Sequence, residues 1–210
     1  MEIEKIIKEP LISDSELNRV EIFVLHHSEV KPTRECLESI LTGTDWPYKL
    51  TMLTTDSYPK GVLAKVYNKL LDESTCDYVA FVCSDATVDK GWLSMIMKNF
   101  KGSCVVPLVS PPINPKMNPG RDIGLVSLNA DELSISVSVF NKNDIKKIGG
   151  FNEDFYLYGH DVDLLQRMQD LGMKFFINTS AFARHDSGTT TKRLFTKEEL
   201  LEVDNYNKTI

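Results

Sequence analysis

Three residues far apart in the chain have the types and settings for chemistry: Asp85, Asp161 and His185. Asp161 lies in GGFNEDFYLYGHDVDLLQRMQDLG, residues 149–172. That stretch passes from a double-glycine turn through an aromatic loop to a His-Asp pair. Leu164, Leu165, Met168 and Leu171 then take up helical spacing, and Gly172 is placed to end the helix. A carboxylate at a helix N-terminus beside such a loop can do acid–base work, and an aspartate there can equally be a plain N-cap. Asp85 comes two residues after the apolar run YVAFVC, and His185 closes the late segment AFARH. Asp and His can both ligate a divalent cation, and a cation bridging a diphosphate neutralises a leaving group. Lys192 and Arg193 follow in SGTTTKR, with the charge to meet phosphate. Structural readings stand beside each of these: an Asx-turn for Asp85, an exposed strand-end histidine for His185, a solvated loop for Lys192 and Arg193.

The elements that must position these residues follow from hydrophobic pattern. Residues 20–25 (VEIFVL), 48–53 and 78–83 (YVAFVC) are apolar and β-branched, and read as buried strands. Between them, Pro32 opens a helix with Cys36, Leu37, Ile40 and Leu41 on one face and Gly43 at its end. Val62, Val66 and Leu70 mark a second helix, and residues 92–99 a third. This alternation predicts a doubly wound α/β sheet with helices on both faces, whose ligands bind beyond the carboxyl ends of the strands. Asp85 falls there, as do His26 and His27, which read as pocket wall more than metal site.

The second half differs. Residues 103–109 read as a strand and SPPINPKMNPG (110–120) as a loop. LSISVSVF (133–140) alternates and predicts a strand with one polar face. That face, with Trp92 and the aromatic loop 155–158, is expected to shape ligand pockets. A short helix over 143–148, the helix 162–171, a strand over 174–178 and the segment 181–185 follow. Thr196 with Glu199 is a capping-box signature for a terminal helix. Residues 1–19 read as an irregular or weakly helical lead-in, and 20–210 as a single domain.

With 210 residues, 42% of them hydrophobic, the chain can bury a sizeable core. Its formal charge of −6 argues against broad nucleic-acid binding, which needs a basic face. The four cysteines are widely spaced, with no CxxC, which predicts reduced thiols rather than a zinc cluster. The start MEIEKIIKEPLISD is charged, and no apolar run reaches bilayer length. The expectation is a cytoplasmic protein with no integral membrane segment.

VEIFVLHHSE with CLESIL, YNKLLDESTCDYVAFVCSDATVDKGWL, IKKIGGFNEDFYLYGHDVDLLQRMQDLGMKFF and ARHDSG, in this order and spacing, are specific together. Over roughly residues 20–190 the chain resembles the family 2 glycosyltransferases, with the nucleotide-diphospho-sugar transferase fold called GT-A. The resemblance implies a Rossmann-type sandwich around a mixed, mostly parallel sheet. It also implies a nucleotide-binding half over about 20–110 and an acceptor half over about 120–195. By the same resemblance, Asp161 is the base of an inverting transfer from a nucleotide diphosphate sugar, UDP-linked, to a hydroxyl of a glycan, lipid-linked or protein acceptor. Asp85 and His185 match the ligands of a divalent cation, Mn2+ or Mg2+. Asp56 resembles the acidic residue at the nucleotide base, and Ser84 and His26 stand where donor contacts are made. Two positions depart from the family pattern. Cys83-Ser84-Asp85 replaces an Asp-x-Asp-like motif, and His160-Asp161 replaces Glu-Asp. Losing the first aspartate removes an oxygen ligand or ribose contact; Asp85, His185, waters and diphosphate oxygens remain to hold the ion. The departures keep open a GT-A domain that binds nucleotide sugar or glycan without transfer. A nucleotidyltransferase would need a Gly-rich, basic loop after the first strand, and LHHSEV is neither.

Overall fold

The structure is a computed structural model that describes residues 4–8, 19–26, 30–54, 62–110, 124–185 and 195–210. Among the described residues one sheet of nine strands forms the centre, in the order β1-β3-β2-β4-β8-β6-β9-β5, with β7 also paired to β9. The strands are β1 (Glu4–Lys8), β2 (Val20–His26), β3 (Tyr48–Thr54), β4 (Tyr78–Cys83), β5 (Ala86–Val88), β6 (Cys104–Ser110), β7 (Leu125–Leu128), β8 (Val137–Asn141) and β9 (Phe175–His185). The helices are α1 (Val30–Gly43), α2 (Val62–Glu73), α3 (Trp92–Lys98), α4 (Lys142–Lys147), α5 (His160–Asp170) and α6 (Lys197–Asn207). The five longest strands, β2, β3, β4, β6 and β9, run one way, and the shorter β1, β5, β7 and β8 oppose them. The sheet is thus mixed, with its long strands parallel as expected.

The period-two alternation of β2 shows how sequence becomes layers. Phe23 and Leu25 face a core shared with α2, α4 and α5. Ile22 and Val24 face the opposite core, built on α1 and α3. On the first side an aromatic knot centres on Phe81, with ring centroids 5.7 Å from Phe23, 4.9 Å from Tyr67, 5.8 Å from Phe140 and 5.5 Å from Phe151. Phe151 ties the double-glycine turn to the middle of the sheet; its truncation to Ala would cost about 3–5 kcal/mol.

Several elements differ from the sequence expectation. Residues 4–8 are a strand, paired antiparallel to β3 along the sheet edge. The alternating segment 133–140 becomes a strand only over Val137–Asn141 and sits between β4 and β6. A central strand is covered on both faces, so Ser136 and Ser138 are buried rather than lining a pocket, and Ser138 donates to the Ile135 carbonyl at 3.0 Å. Trp92 is likewise core, fully buried with its indole N–H donating to Thr44 at 3.0 Å. Residues 174–178 and 181–185 form one strand, because the polar Asn178-Thr179-Ser180 stretch is absorbed as a register shift opposite Pro107 and Leu108. Asn178 is buried and donates to the Met95 carbonyl at 2.8 Å. The strands β5 and β7 are too short to leave a periodic signal. The capping box at Thr196 and Glu199 is present on α6.

Candidate active site

The carboxyl ends of β2 and β4 lie side by side, with Leu25 opposite Cys83. The Cys83 N–H donates to the Ser136 carbonyl at 2.8 Å, and its own carbonyl accepts from Cys36 Sγ at 3.4 Å. Ser84 and Asp85 then turn the chain into β5, which pairs antiparallel with the end of β9, Ala86 opposite His185. On its other side β5 is tied to α1, the Val88 N–H donating to Ser39 Oγ at 3.1 Å. Backbone register alone therefore brings Asp85 to His185.

The result is a contact of 3.2 Å between Asp85 Oδ1 and His185 Nε2, both side chains largely buried, 11% and 13% exposed. Cys83 joins them: one ligand atom from each of Cys83, Asp85 and His185 lies within 4.8 Å of the others. His185 Nδ1 is buried with no hydrogen-bond partner among the described residues. Burial, with Asp85, Cys36 and Asp161 adding negative charge or a second thiol nearby, pushes the Cys83 thiol well above its ordinary range. The Cys36 thiol is pushed up to about 12 by burial and by Asp85. None of the four cysteines is in a disulfide. These residues fit a divalent cation. The donor set is a mixed S/O/N one within 4.8 Å, and no Lys or Arg among the described residues pairs with Asp85.

Asp161 sits in the first turn of α5 and does not cap it. The N-cap is Gly159, with φ 87°, and the helix starts at His160. A Cβ on Gly159 would stand 2.7 Å from the Phe155 ring, so both space and backbone angle demand glycine. Asp161 is half-buried, and no hydrogen bond or ion pair among the described residues engages its carboxylate. Its charge is near enough to Cys83 to be among the smaller influences that raise that thiol. His160 turns the other way, buried with its ring centroid 5.8 Å from Phe151 and 6.1 Å from Tyr67. Burial lowers its pKa against the pull of Asp161 and Asp163, so the ring is held neutral.

Side chains that the sequence gave no reason to single out hold the loop before Asp161. From α2, Asn68 accepts from the Phe151 N–H at 2.8 Å and donates to the Phe151 carbonyl at 2.9 Å. From α5, Arg167 donates to the carbonyls of Ile148 at 2.9 Å and Gly150 at 2.8 Å, and to Asp163 at 2.6 Å. From α6, Asn207 accepts from the Tyr156 N–H at 3.0 Å and donates to the carbonyls of Tyr156 at 3.1 Å and Tyr158 at 2.9 Å. Between them Leu157 takes φ 65°, with the Tyr158 N–H bonded to the Tyr156 carbonyl at 2.7 Å, a tight turn rare for a branched residue. Only Arg167 had a visible sequence partner, Asp163 one turn earlier. Of the other predicted site residues, His26 ends β2 with its Nδ1 bonded to Thr33 at 2.5 Å, and Ser84 is half-buried in the turn. Asp56, His27, Lys192 and Arg193 lie outside the described residues.

TarS 1-349 of S. aureus superposes on the chain with a TM-score of 0.61 at 13% identity, covering 88% of this chain and 63% of that one. TarS 1-349 in complex with UDP-GlcNAc gives a TM-score of 0.61 at 12% identity, covering 90% and 64%. GalNAc-T7 with UDP, GalNAc and Mn2+ gives 0.59 at 10% identity, covering 82% and 44%. The fold is that of the GT-A glycosyltransferases. In sequence, the family model described as the N-terminal domain of galactosyltransferase matches residues 126–192, the stretch holding β8, α5 and β9. The pre-mycofactocin glycosyltransferase of Mycobacterium tuberculosis, in strains CDC 1551 / Oshkosh and H37Rv alike, is 29% identical over 144 residues, covering 60% of this chain. The chain spans 30% of the length of those curated relatives. No helix among the described residues is long and apolar enough to cross a membrane.

Proposed function

We propose that this domain is a family 2 glycosyltransferase. It moves a sugar from a nucleotide diphosphate sugar, UDP-linked, to an acceptor hydroxyl, with inversion. The observation that carries the reading is the 3.2 Å meeting of Asp85 and His185 beyond the strand ends. The UDP-GlcNAc bound by TarS and the UDP, GalNAc and Mn2+ bound by GalNAc-T7 support the donor class.

In this reading Asp161 accepts the hydroxyl proton while the acceptor oxygen attacks the anomeric carbon and the bond from that carbon to the diphosphate oxygen breaks. The proton ends on Asp161 and the electron pair on the departing diphosphate. General-base assistance of this kind contributes about 10²–10⁴-fold. Asp85 and His185 hold a divalent cation, of the manganese or magnesium type, which supplies positive charge to the leaving diphosphate. His26, Ser84 and Asp56 contact the nucleoside, and Lys192 and Arg193 meet the diphosphate. Residues 20–110 form the donor half and 120–195 the acceptor half, the acceptor being a glycan, lipid-linked or protein hydroxyl. Four unpaired cysteines fit a reducing, cytoplasmic setting.

The test is release of UDP from a panel of UDP-sugars, with and without a chelator. The expected result is metal-dependent release from at least one donor. Tight UDP binding with release from none would contradict transfer and leave a binding domain.

A further inference from the structure

We propose that Cys83 completes a three-ligand Cys83–Asp85–His185 centre whose thiolate makes it select zinc-class divalent cations over magnesium. This rests on the reading of Asp85 and His185 as cation ligands and adds the third donor and the choice of metal.

The geometry points there independently of the departure in the motif. The three donor atoms come from three different chain positions and lie within 4.8 Å of one another. Nitrogen and oxygen held at about 2.0–2.1 Å on a tetrahedral ion stand about 3.3 Å apart. The Asp85–His185 separation is 3.2 Å, already at that spacing. Cys83 is not free to drift. Its N–H is bonded to Ser136 and its carbonyl to Cys36, which fixes the strand-end backbone from which the sulfur projects. Three protein ligands leave a coordination position open, the pattern of a site that takes a further oxygen from water or a ligand. Magnesium takes oxygen donors in strict octahedral geometry and is poorly served by sulfur and imidazole. Zinc and cobalt accept all three donor types, and manganese binds such a donor set more weakly than either. Cys83 also touches the core built on α1 and α3, where a cysteine can act as a small apolar residue. As packing alone it would affect stability without touching metal choice.

The test uses the full chain, stripped of metal by chelation and titrated with Co2+ as the spectroscopic probe, then with Zn2+, Mn2+ and Mg2+ in competition. The expected result is a thiolate-to-cobalt charge-transfer band in the near ultraviolet, absent in Cys83→Ser, Asp85→Ala and His185→Ala. Circular dichroism of the variants checks that each is folded. The zinc-to-magnesium affinity ratio should fall about tenfold or more in Cys83→Ser, and Cys83→Asp should move preference toward manganese and magnesium. Cobalt binding that needs Asp85 and His185 but shows no thiolate band overturns the role of Cys83 and leaves the two-ligand reading standing. A thiolate band that survives Asp85→Ala and His185→Ala places the metal at another cysteine and overturns this centre. No binding of any of the four ions overturns both.

Discussion

The two sides of the candidate site, the Asp85–His185 pair and the Asp161 loop, are held by different forces. On the Asp85–His185 side, position comes from the sheet: the Ala86–His185 pairing and the Cys83–Ser136 backbone bond leave the side chains nothing to hold up. On the Asp161 side, an irregular loop with glycines at φ 82°, 78° and 87° and a leucine at 65° is held by side chains reaching in from α2, α5 and α6. Register is a property of many residues at once and tolerates the loss of any one side chain. A clamp is a property of one residue and fails with it. Substitutions on the first wall should therefore change chemistry without stability, and substitutions on the second should change both.

The largest effect expected is that of Arg167→Ala. It strips two backbone carbonyls of a charged donor and leaves Asp163 without its partner, a loss of about 2–4 kcal/mol by urea denaturation. Turnover should drop with it, because α5 loses its hold on the turn that precedes Asp161. Next comes Asn207→Ala, which removes three hydrogen bonds to Tyr156 and Tyr158, for about 1–2 kcal/mol. It should lower kcat while leaving the affinity for UDP unchanged, since the Asp85–His185 side takes its position from the sheet; an equal loss of UDP affinity would erase the distinction between the walls. Asp85→Ala and His185→Ala should stay within about 0.5 kcal/mol of the parent in stability yet abolish metal-dependent UDP binding by calorimetry. A large loss of stability there would mean that this contact, and not the register, holds the wall.

The smallest effect is a pH dependence. His160 has a pKa lowered by burial, so the unfolded chain binds a proton more readily than the folded one. Its contribution is complete above the ordinary histidine pKa of about 6.5 and is lost as pH falls through the lower folded value. His160→Phe should flatten the decline in urea midpoint below that pH and change little above it.

What was legible in the sequence follows the same division. The parallel strands and their helices stood out because a buried strand in a doubly wound sheet is apolar throughout, as in YVAFVC, and Asp85 followed from the strand that precedes it. The lead-in strand Glu4–Lys8 was missed because an edge strand takes its hydrogen bonds from one neighbour and needs no apolar pattern. Ser136 and Ser138 misled because alternation means a solvated face only when one face is solvated, and a strand between β4 and β6 has none. Asn68 and Asn207 carried no signal, and Arg167 only its i−4 partner Asp163: a hydrogen-bond clamp between distant segments has no period. His160 looked like a departure at the site and proves to be packing, its ring against Phe151 and Tyr67. Asp161 was expected to be either base or cap, and Gly159 at the cap position removes the second role.

That leaves the central claim resting on one carboxylate, and Asp161→Asn tests it most directly. The amide keeps size and polarity, forfeits one negative charge at a helix N-terminus, and should cost only about 0.3–1 kcal/mol in stability. It cannot take a proton. Sugar transfer measured beside UDP binding should fall by about 10²-fold or more with binding unchanged. A variant that transfers at the parent rate would contradict the account.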